Sequence, residues 1–192
     1  MPEAAIFVDR DGVIIESRRP GADPRPPASV EDIEIPAGVP ESLGALRAAG
    51  YVLIVITNQP DVARGTTSRS AVEAINTFVS NALPIDDVYT CFHDGDSCSC
   101  RKPRPGLILA AARDHAIDLG RSWLIGDRWV DIAAGQAAGV RTVLLERPYS
   151  WAATSAGDPP PGLRPDAVGA DLGECAAAIP GSQLRGGNTA GS

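Results

Sequence analysis

Ala4-Ala5-Ile6-Phe7-Val8-Asp9-Arg10-Asp11-Gly12 decides the fold. An uninterrupted apolar run that turns abruptly to charge describes a strand buried on both faces. Four later runs read the same way: Tyr51-Val52-Leu53-Ile54-Val55-Ile56, Asp87-Val88-Tyr89-Thr90-Cys91-Phe92, Trp123-Leu124-Ile125, and residues 140–145. Helical stretches fall between them. Val39, Leu43, Leu46 and Ala49 recur at helical spacing until Gly50 stops the run. Ser70-Ala71-Val72-Glu73 predicts a capping box that opens a helix to about residue 83. Pro105 opens another, to about residue 115, and residues 132–138 form a short one. Residues 166–179 have room for one more strand and helix. Alternation of this kind predicts an α/β domain, a doubly wound parallel sheet covered on both faces. Ligands in such sheets bind beyond the carboxyl ends of the strands. Those ends carry Asp9, Thr57, the segment 91–102 and Asp127.

Composition narrows the function. The chain has 192 residues, 44% hydrophobic and 21% charged, which suits one globular domain. We expect that domain over residues 1–181 and a disordered tail over 182–192. Lys and Arg number 17 against 24 Asp and Glu, a formal charge of −7, which argues against a nucleic-acid partner. No apolar run approaches a membrane span, and Met1-Pro2-Glu3 does not open a secretory signal. A cytoplasmic location and a monomer are the expectations.

The chain has 4 cysteines, and Cys91, Cys98 and Cys100 lie close together with His93. Two N/S pairs joined by a polar loop offer a closed tetrahedral site for a structural Zn²⁺. Reduced, metal-free thiols on a surface loop are the alternative, and a Cys98–Cys100 bridge is a weaker one. Cys175 stands apart, and His115, late in a helix, reads as ordinary surface.

Asp9 and Asp11 leave the first strand, and Asp127 and Asp131 leave the fourth. A lone Asp in such a place is usually a turn former or a helix cap. Several carboxylates meeting at one sheet edge repel one another unless a cation neutralises them. Hard oxygen ligands suit Mg²⁺, which also takes a substrate phosphate.

Asp9-Arg10-Asp11-Gly12-Val13-Ile14, Thr57-Asn58-Gln59, Cys100-Arg101-Lys102-Pro103 and Gly126-Asp127-Arg128 with Asp131 resemble, in order, the four motifs of the haloacid dehalogenase (HAD) superfamily of phosphohydrolases. The resemblance implies a HAD-like, Rossmannoid sheet with a minimal cap and a zinc-binding loop. It implies that Asp9 is the nucleophile and Asp11 the general acid and base. Asp9, Asp127 and the backbone carbonyl of Asp11 would hold Mg²⁺, with Asp131 supporting them from behind. Thr57 and Lys102 would hold the phosphoryl oxygens, and a zinc clip would hold Arg101 and Lys102 over that site. Substrate contacts would fall on Thr57, Asn58, Gln59, Arg101, Lys102 and Arg128, with some from the stretch 17–20.

The cysteine motifs are similar to two branches of the superfamily. One removes the 7-phosphate of heptose 1,7-bisphosphates, and the other acts on histidinol phosphate. The Ala63-Arg64-Gly65 loop is closer to the first, whereas the short spacing from His93 to Cys98 departs from it. The expected substrate is a small phosphorylated compound, most simply a sugar bisphosphate. Arg18, Arg19, Arg64, Arg101 and Arg128 are candidates for its second phosphate. A non-catalytic zinc-clip module is the alternative from a different class.

Overall fold

The chain runs β1 (Ala5–Val8), α1 (Val39–Ala48), β2 (Val52–Asn58), α2 (Arg69–Ala82), β3 (Asp87–Cys91), α3 (Gly106–Asp114), β4 (Trp123–Gly126), α4 (Trp129–Ala138), β5 (Arg141–Leu145), β6 (Ala167–Gly169) and α5 (Leu172–Ala177). This is a computed structural model that describes residues 3–17, 25–95 and 98–181. Arg18, Arg19, Asp96, Ser97 and the tail from 182 lie outside the described residues.

The six strands lie in the order β3-β2-β1-β4-β5-β6, with every neighbouring pair parallel. Side-chain alternation builds two cores. Ile6, Val8, Leu53, Val55, Ile125 and Val143 face one way, onto Leu43 and Leu46 of α1, Ile75 and Val79 of α2, and Cys175 and Ala176 of α5. Phe7, Ile54, Ile56 and Leu124 face the other way, onto Leu107, Ile108 and Ala111 of α3 and Ala134 of α4. Both faces of each central strand are therefore dry, which is why those strands read as continuous apolar runs. Cys175, whose role the sequence left open, is a core residue with its thiol 3.9 Å from the Leu144 carbonyl.

Chain order reverses between β1 and β4. The crevice at such a switch point is where open α/β sheets bind ligands. It opens between the ends of these two strands, where Asp9 and Asp127 stand. Between Asp9 and Gly38 the described residues form a tight turn closed by a bridge between Asp11 and Ile15 and a single 3-10 turn, Val30–Asp32, so no cap domain stands there among them. No helix among the described residues is long and apolar enough to cross a membrane.

Three local expectations need correction. The cap of α2 is Ser68, not Ser70: Ser68 Oγ accepts from Ala71 N–H at 3.1 Å, while Glu73 pairs with Arg69 instead of closing a box. Helix α4 starts at Trp129, three residues before the first Ile of its periodic run, because Asp131 Oδ2 accepts from Arg128 N–H at 3.0 Å and anchors an earlier first turn. His115 is not plain surface. Its Nε2 lies 2.9 Å from Asp87 Oδ2, and its ring meets Tyr89 edge-on at 6.3 Å.

Candidate active site

Four carboxylates and one lysine gather at the crevice. Asp9 follows β1, and its Oδ1 accepts from Arg10 N–H at 2.8 Å and pairs with Lys102 Nζ at 2.8 Å. Lys102 is 3% exposed. Its Nζ also lies 2.7 Å from Asp131 Oδ1, as an ion pair without a directed hydrogen bond, and donates to the Ile56 carbonyl at 3.1 Å. Burial works against its ammonium, but the charges of Asp131 and Asp9 outweigh burial and raise its pKa above the ordinary lysine value.

The site is short of positive charge. Burial, with further repulsion from Asp131 and Asp11 that Lys102 only partly offsets, pushes Asp9 up to about 6. Burial, then the charges of Asp9 and Asp131, pushes Asp127 up to about 8. Asp127 Oδ2 accepts from Tyr149 Oη at 2.7 Å, whereas its Oδ1 is buried without a hydrogen bond among the described residues. Oxygens of Asp9, Asp127 and Asp131 lie within 4.8 Å of one another. An orphaned carboxylate oxygen in a cluster of like charge fits a divalent cation with oxygen ligands. Asp131 is committed on both sides, to Lys102 and to the Arg128 amide.

Glycines permit this convergence. Gly12 has φ +87°, and a Cβ there would overlap Asp127 Oδ2. A Cβ on Gly126 would overlap the Asp131 side chain.

Asp11 lines the same cleft, but its carboxylate turns to other partners. Arg10, wholly buried, grips its carboxylate with contacts of 3.0 and 3.1 Å, and Gln59 Nε2 donates to Oδ2 at 2.7 Å. The carboxylate of Asp11 is not in the cluster formed by the other three, which leaves its backbone carbonyl for any part in holding a cation. Arg10 also donates to Asn76 Oδ1 at 2.7 Å, which ties the site to α2.

Thr57 is buried beside Asp11, and its Oγ1 accepts from Gln59 Nε2 at 2.8 Å. Asn58 holds the backbone of Lys102 from both sides: its Nδ2 donates to the Lys102 carbonyl, and its Oδ1 accepts from the Lys102 N–H, each at 3.1 Å. The amides of Asn58 and Gln59, expected to meet substrate, are thus committed to Lys102 and to Asp11 with Thr57. A cleft of about 590 Å³ lies over these groups, with Ser17, Arg25, Arg64, Arg101, Arg128 and Ser155 in its wall. Arg101 donates to the His93 carbonyl at 3.1 Å and to Ser155 Oγ at 2.8 Å. Arg64 is tied to Asp94 at 2.8 Å.

Cys91, His93, Cys98 and Cys100 bring three sulfurs and one nitrogen within 4.8 Å. Cys91 Sγ lies 3.8 Å from Cys98 Sγ and 3.1 Å from Cys100 Sγ, and His93 Nδ1 lies 3.2 Å from Cys100 Sγ. A zinc tetrahedron with Zn–S of about 2.3 Å has edges near 3.8 Å. The four cysteines form no disulfide. Burial pushes the Cys91 thiol up to about 12, so a cation would have to displace its proton. The set fits zinc, and Arg101 and Lys102 follow its last ligand directly.

Arg10, Tyr149 and Ser150 escaped the sequence reading. Arg10 sits inside the first motif, and its place between two aspartates was the available clue. Tyr149 and Ser150 carry no motif. They reach Asp127 only because β5 lies beside β4.

Known proteins agree with this geometry. A HAD-hydrolase-like family model matches residues 99–175. The chain is 36% identical over 160 residues to the D-glycero-beta-D-manno-heptose-1,7-bisphosphate 7-phosphatase of Helicobacter pylori, covering 77% of this chain and 88% of that protein. It is 38% identical over 171 residues to the D-glycero-alpha-D-manno-heptose-1,7-bisphosphate 7-phosphatase of Burkholderia mallei, covering 81% and 87%. The crystal structure of D,D-heptose 1,7-bisphosphate phosphatase from B. bronchiseptica, complexed with magnesium and phosphate, superposes with a TM-score of 0.75 at 28% identity, covering 92% of this chain and 97% of that one. The strand order, the motif residues at the crevice and these likenesses agree: the chain belongs to the HAD-like hydrolases, among their phosphatases.

Proposed function

We propose that this enzyme removes the 7-phosphate of D-glycero-D-manno-heptose 1,7-bisphosphate through an aspartyl-phosphate on Asp9. The carrying observation is the carboxylate of Asp9, which stands at the switch point with one oxygen pinned by Lys102 and the Arg10 amide. Oδ2 has no hydrogen bond among the described residues and is the attacking oxygen. Its bond to phosphorus forms as the bond from phosphorus to the sugar oxygen breaks. Asp11 gives the leaving oxygen its proton, then takes one from the water that attacks phosphorus. Phosphate leaves and Asp9 is restored. Lys102 and Thr57 steady the phosphoryl oxygens, and positioning and charge supply most of the rate. Asp9, Asp127 and the Asp11 carbonyl would hold Mg²⁺, which, when bound, shields the nucleophile from the phosphate charge and orients it. Cys91, His93, Cys98 and Cys100 would hold a structural Zn²⁺.

Supporting the substrate assignment are the two curated relatives, one named for the beta anomer and one for the alpha. Arg25, Arg64, Arg101 and Arg128 in the cleft wall give the second phosphate cationic partners. Residues 1–181 act as one domain. We read the enzyme as a monomer: among the described residues the exposed large apolar side chains, Phe78, Leu109, Trp151 and Val168, lie on four different segments of the chain, which supports that reading. A thiol cluster suited to metal supports a cytoplasmic location.

The test is phosphate release with both anomers of the heptose bisphosphate, fructose 1,6-bisphosphate and histidinol phosphate, side by side with Mg²⁺. One heptose anomer should exceed the other compounds in kcat/KM. Preference for histidinol phosphate would transfer the enzyme to the second branch, and no turnover in the panel would favour a binding module.

A further inference from the structure

Tyr149 stands in the segment after β5, and that segment is fastened to the start of α4. Trp129 donates its amide to the Ser150 carbonyl at 2.9 Å and its Nε1 to the Ala152 carbonyl at 3.0 Å. Ser150 Oγ donates to the Asp127 carbonyl at 2.6 Å and accepts from Arg147 N–H at 2.8 Å. The guanidinium of Arg128 lies over the Tyr149 ring, 4.9 Å from its centre. So held, the phenol donates to Asp127 Oδ2 at 2.7 Å and leaves Oδ1 buried and, among the described residues, without a hydrogen bond. Gly12 completes the fit, because a Cβ there would come within 2.9 Å of Tyr149 Oη.

We infer that Tyr149 is a positioning residue that makes Asp127 a one-oxygen ligand and thereby favours Mg²⁺ over Ca²⁺. The inference rests on the reading of this cluster as a magnesium site. A carboxylate oxygen that accepts the phenol's hydrogen bond is the weaker ligand, so Asp127 offers a cation its other oxygen. Mg²⁺ requires a near-octahedral arrangement at about 2.0–2.1 Å, whereas Ca²⁺ accepts two-oxygen chelation at about 2.3–2.6 Å. Without the phenol, Asp127 is free to turn or to offer both oxygens. Calcium tolerates that change and magnesium does not. The hydroxyl does not touch the reacting atoms, so its effect runs through the cation.

The experiment is calorimetric titration of the zinc-replete, magnesium-free protein with Mg²⁺ and, separately, with Ca²⁺. Tyr149→Phe should weaken Mg²⁺ about tenfold, the lower range for partners of metal ligands, while Ca²⁺ binds nearly as before. In turnover assays the magnesium concentration for half-maximal rate should rise in step, with most of the kcat regained at saturation. Ser150→Ala loosens the same segment without touching Oδ2, and should leave the ratio of the two affinities unchanged. Equal weakening of both ions in Tyr149→Phe, no weakening, or the same change of ratio in Ser150→Ala would overturn the inference. Wild-type protein that binds neither ion would take the magnesium reading down with it.

Discussion

Replacing Lys102 by Met tests the charge arithmetic of the site. Met keeps most of the aliphatic stem, so little cavity forms, but the ammonium disappears. Lys102 is 3% exposed, within 2.8 Å of Asp9 and 2.7 Å of Asp131, so its removal leaves two buried carboxylates without their shared cation. Removing one partner of a buried ion pair costs about 3–5 kcal/mol. In a chain of this size each kcal/mol moves the melting temperature by roughly 2–4 °C, so the fall should be roughly 6–20 °C. The loss should depend on pH. Asp9 already sits near 6 with the lysine present, above its ordinary 3.8, and rises further without it. A carboxyl raised on folding supports the fold at low pH and loses that support as pH rises through its folded value. The variant should therefore be most handicapped at neutral pH and recover toward wild type near pH 4.5. Melting curves of the magnesium-free proteins at pH 7.5 and 4.5 make the comparison. A difference at pH 7.5 below about 1 kcal/mol, the surface-pair range, would refute the reasoning, and so would a difference that stays constant with pH.

Asp9→Asn should nearly abolish turnover while the melting temperature stays close to wild type, and unaltered phosphate release would remove Asp9 from the nucleophile's role. Elemental analysis should find about one zinc per chain, as four N/S ligands require; Cys98→Ser should lower zinc content, melting temperature and activity together, by loosening the loop that carries Arg101 and Lys102. Asp127 at about 8 and Asp9 at about 6 stand above their unfolded values, so the magnesium-free protein should lose stability as pH rises from 5 to 8. Added Mg²⁺ should therefore raise the melting temperature more at pH 8 than at pH 5, where it must displace protons, and an equal rise at both would count against the cluster as its binding site.

Much of the sheet was legible because parallel strands buried on both faces need continuous apolar runs. The strands following Ala4, Gly50 and Arg121 announce themselves that way. Helix starts were harder. Ser68 and Ser70 are equivalent as letters, and only the position of the Ala71 amide selects between them. Helix α4 begins before its apolar period becomes visible, because Asp131 folds back on Arg128. Within the site, the aspartates, Thr57 and Lys102 could be named from motif order. The commitments of Asn58 and Gln59 could not, since an amide side chain serves a ligand or a backbone equally well until its neighbours are known.

From its letters alone, then, the chain determines alternating strands and helices and a set of acidic, hydroxyl and lysine groups at the strand ends. Burial periodicity and backbone preference are local properties and are written locally. The tertiary structure alone decides that β4 lies beside β1 and β5 beside β4. That order is a long-range packing outcome. It carries Asp127 to Asp9 and Tyr149 to Asp127, sets Lys102 between carboxylates from two loops, and leaves one oxygen of Asp127 without a hydrogen bond among the described residues. Spacing along a chain holds no record of such distances, because the loops that close them are free to vary in length.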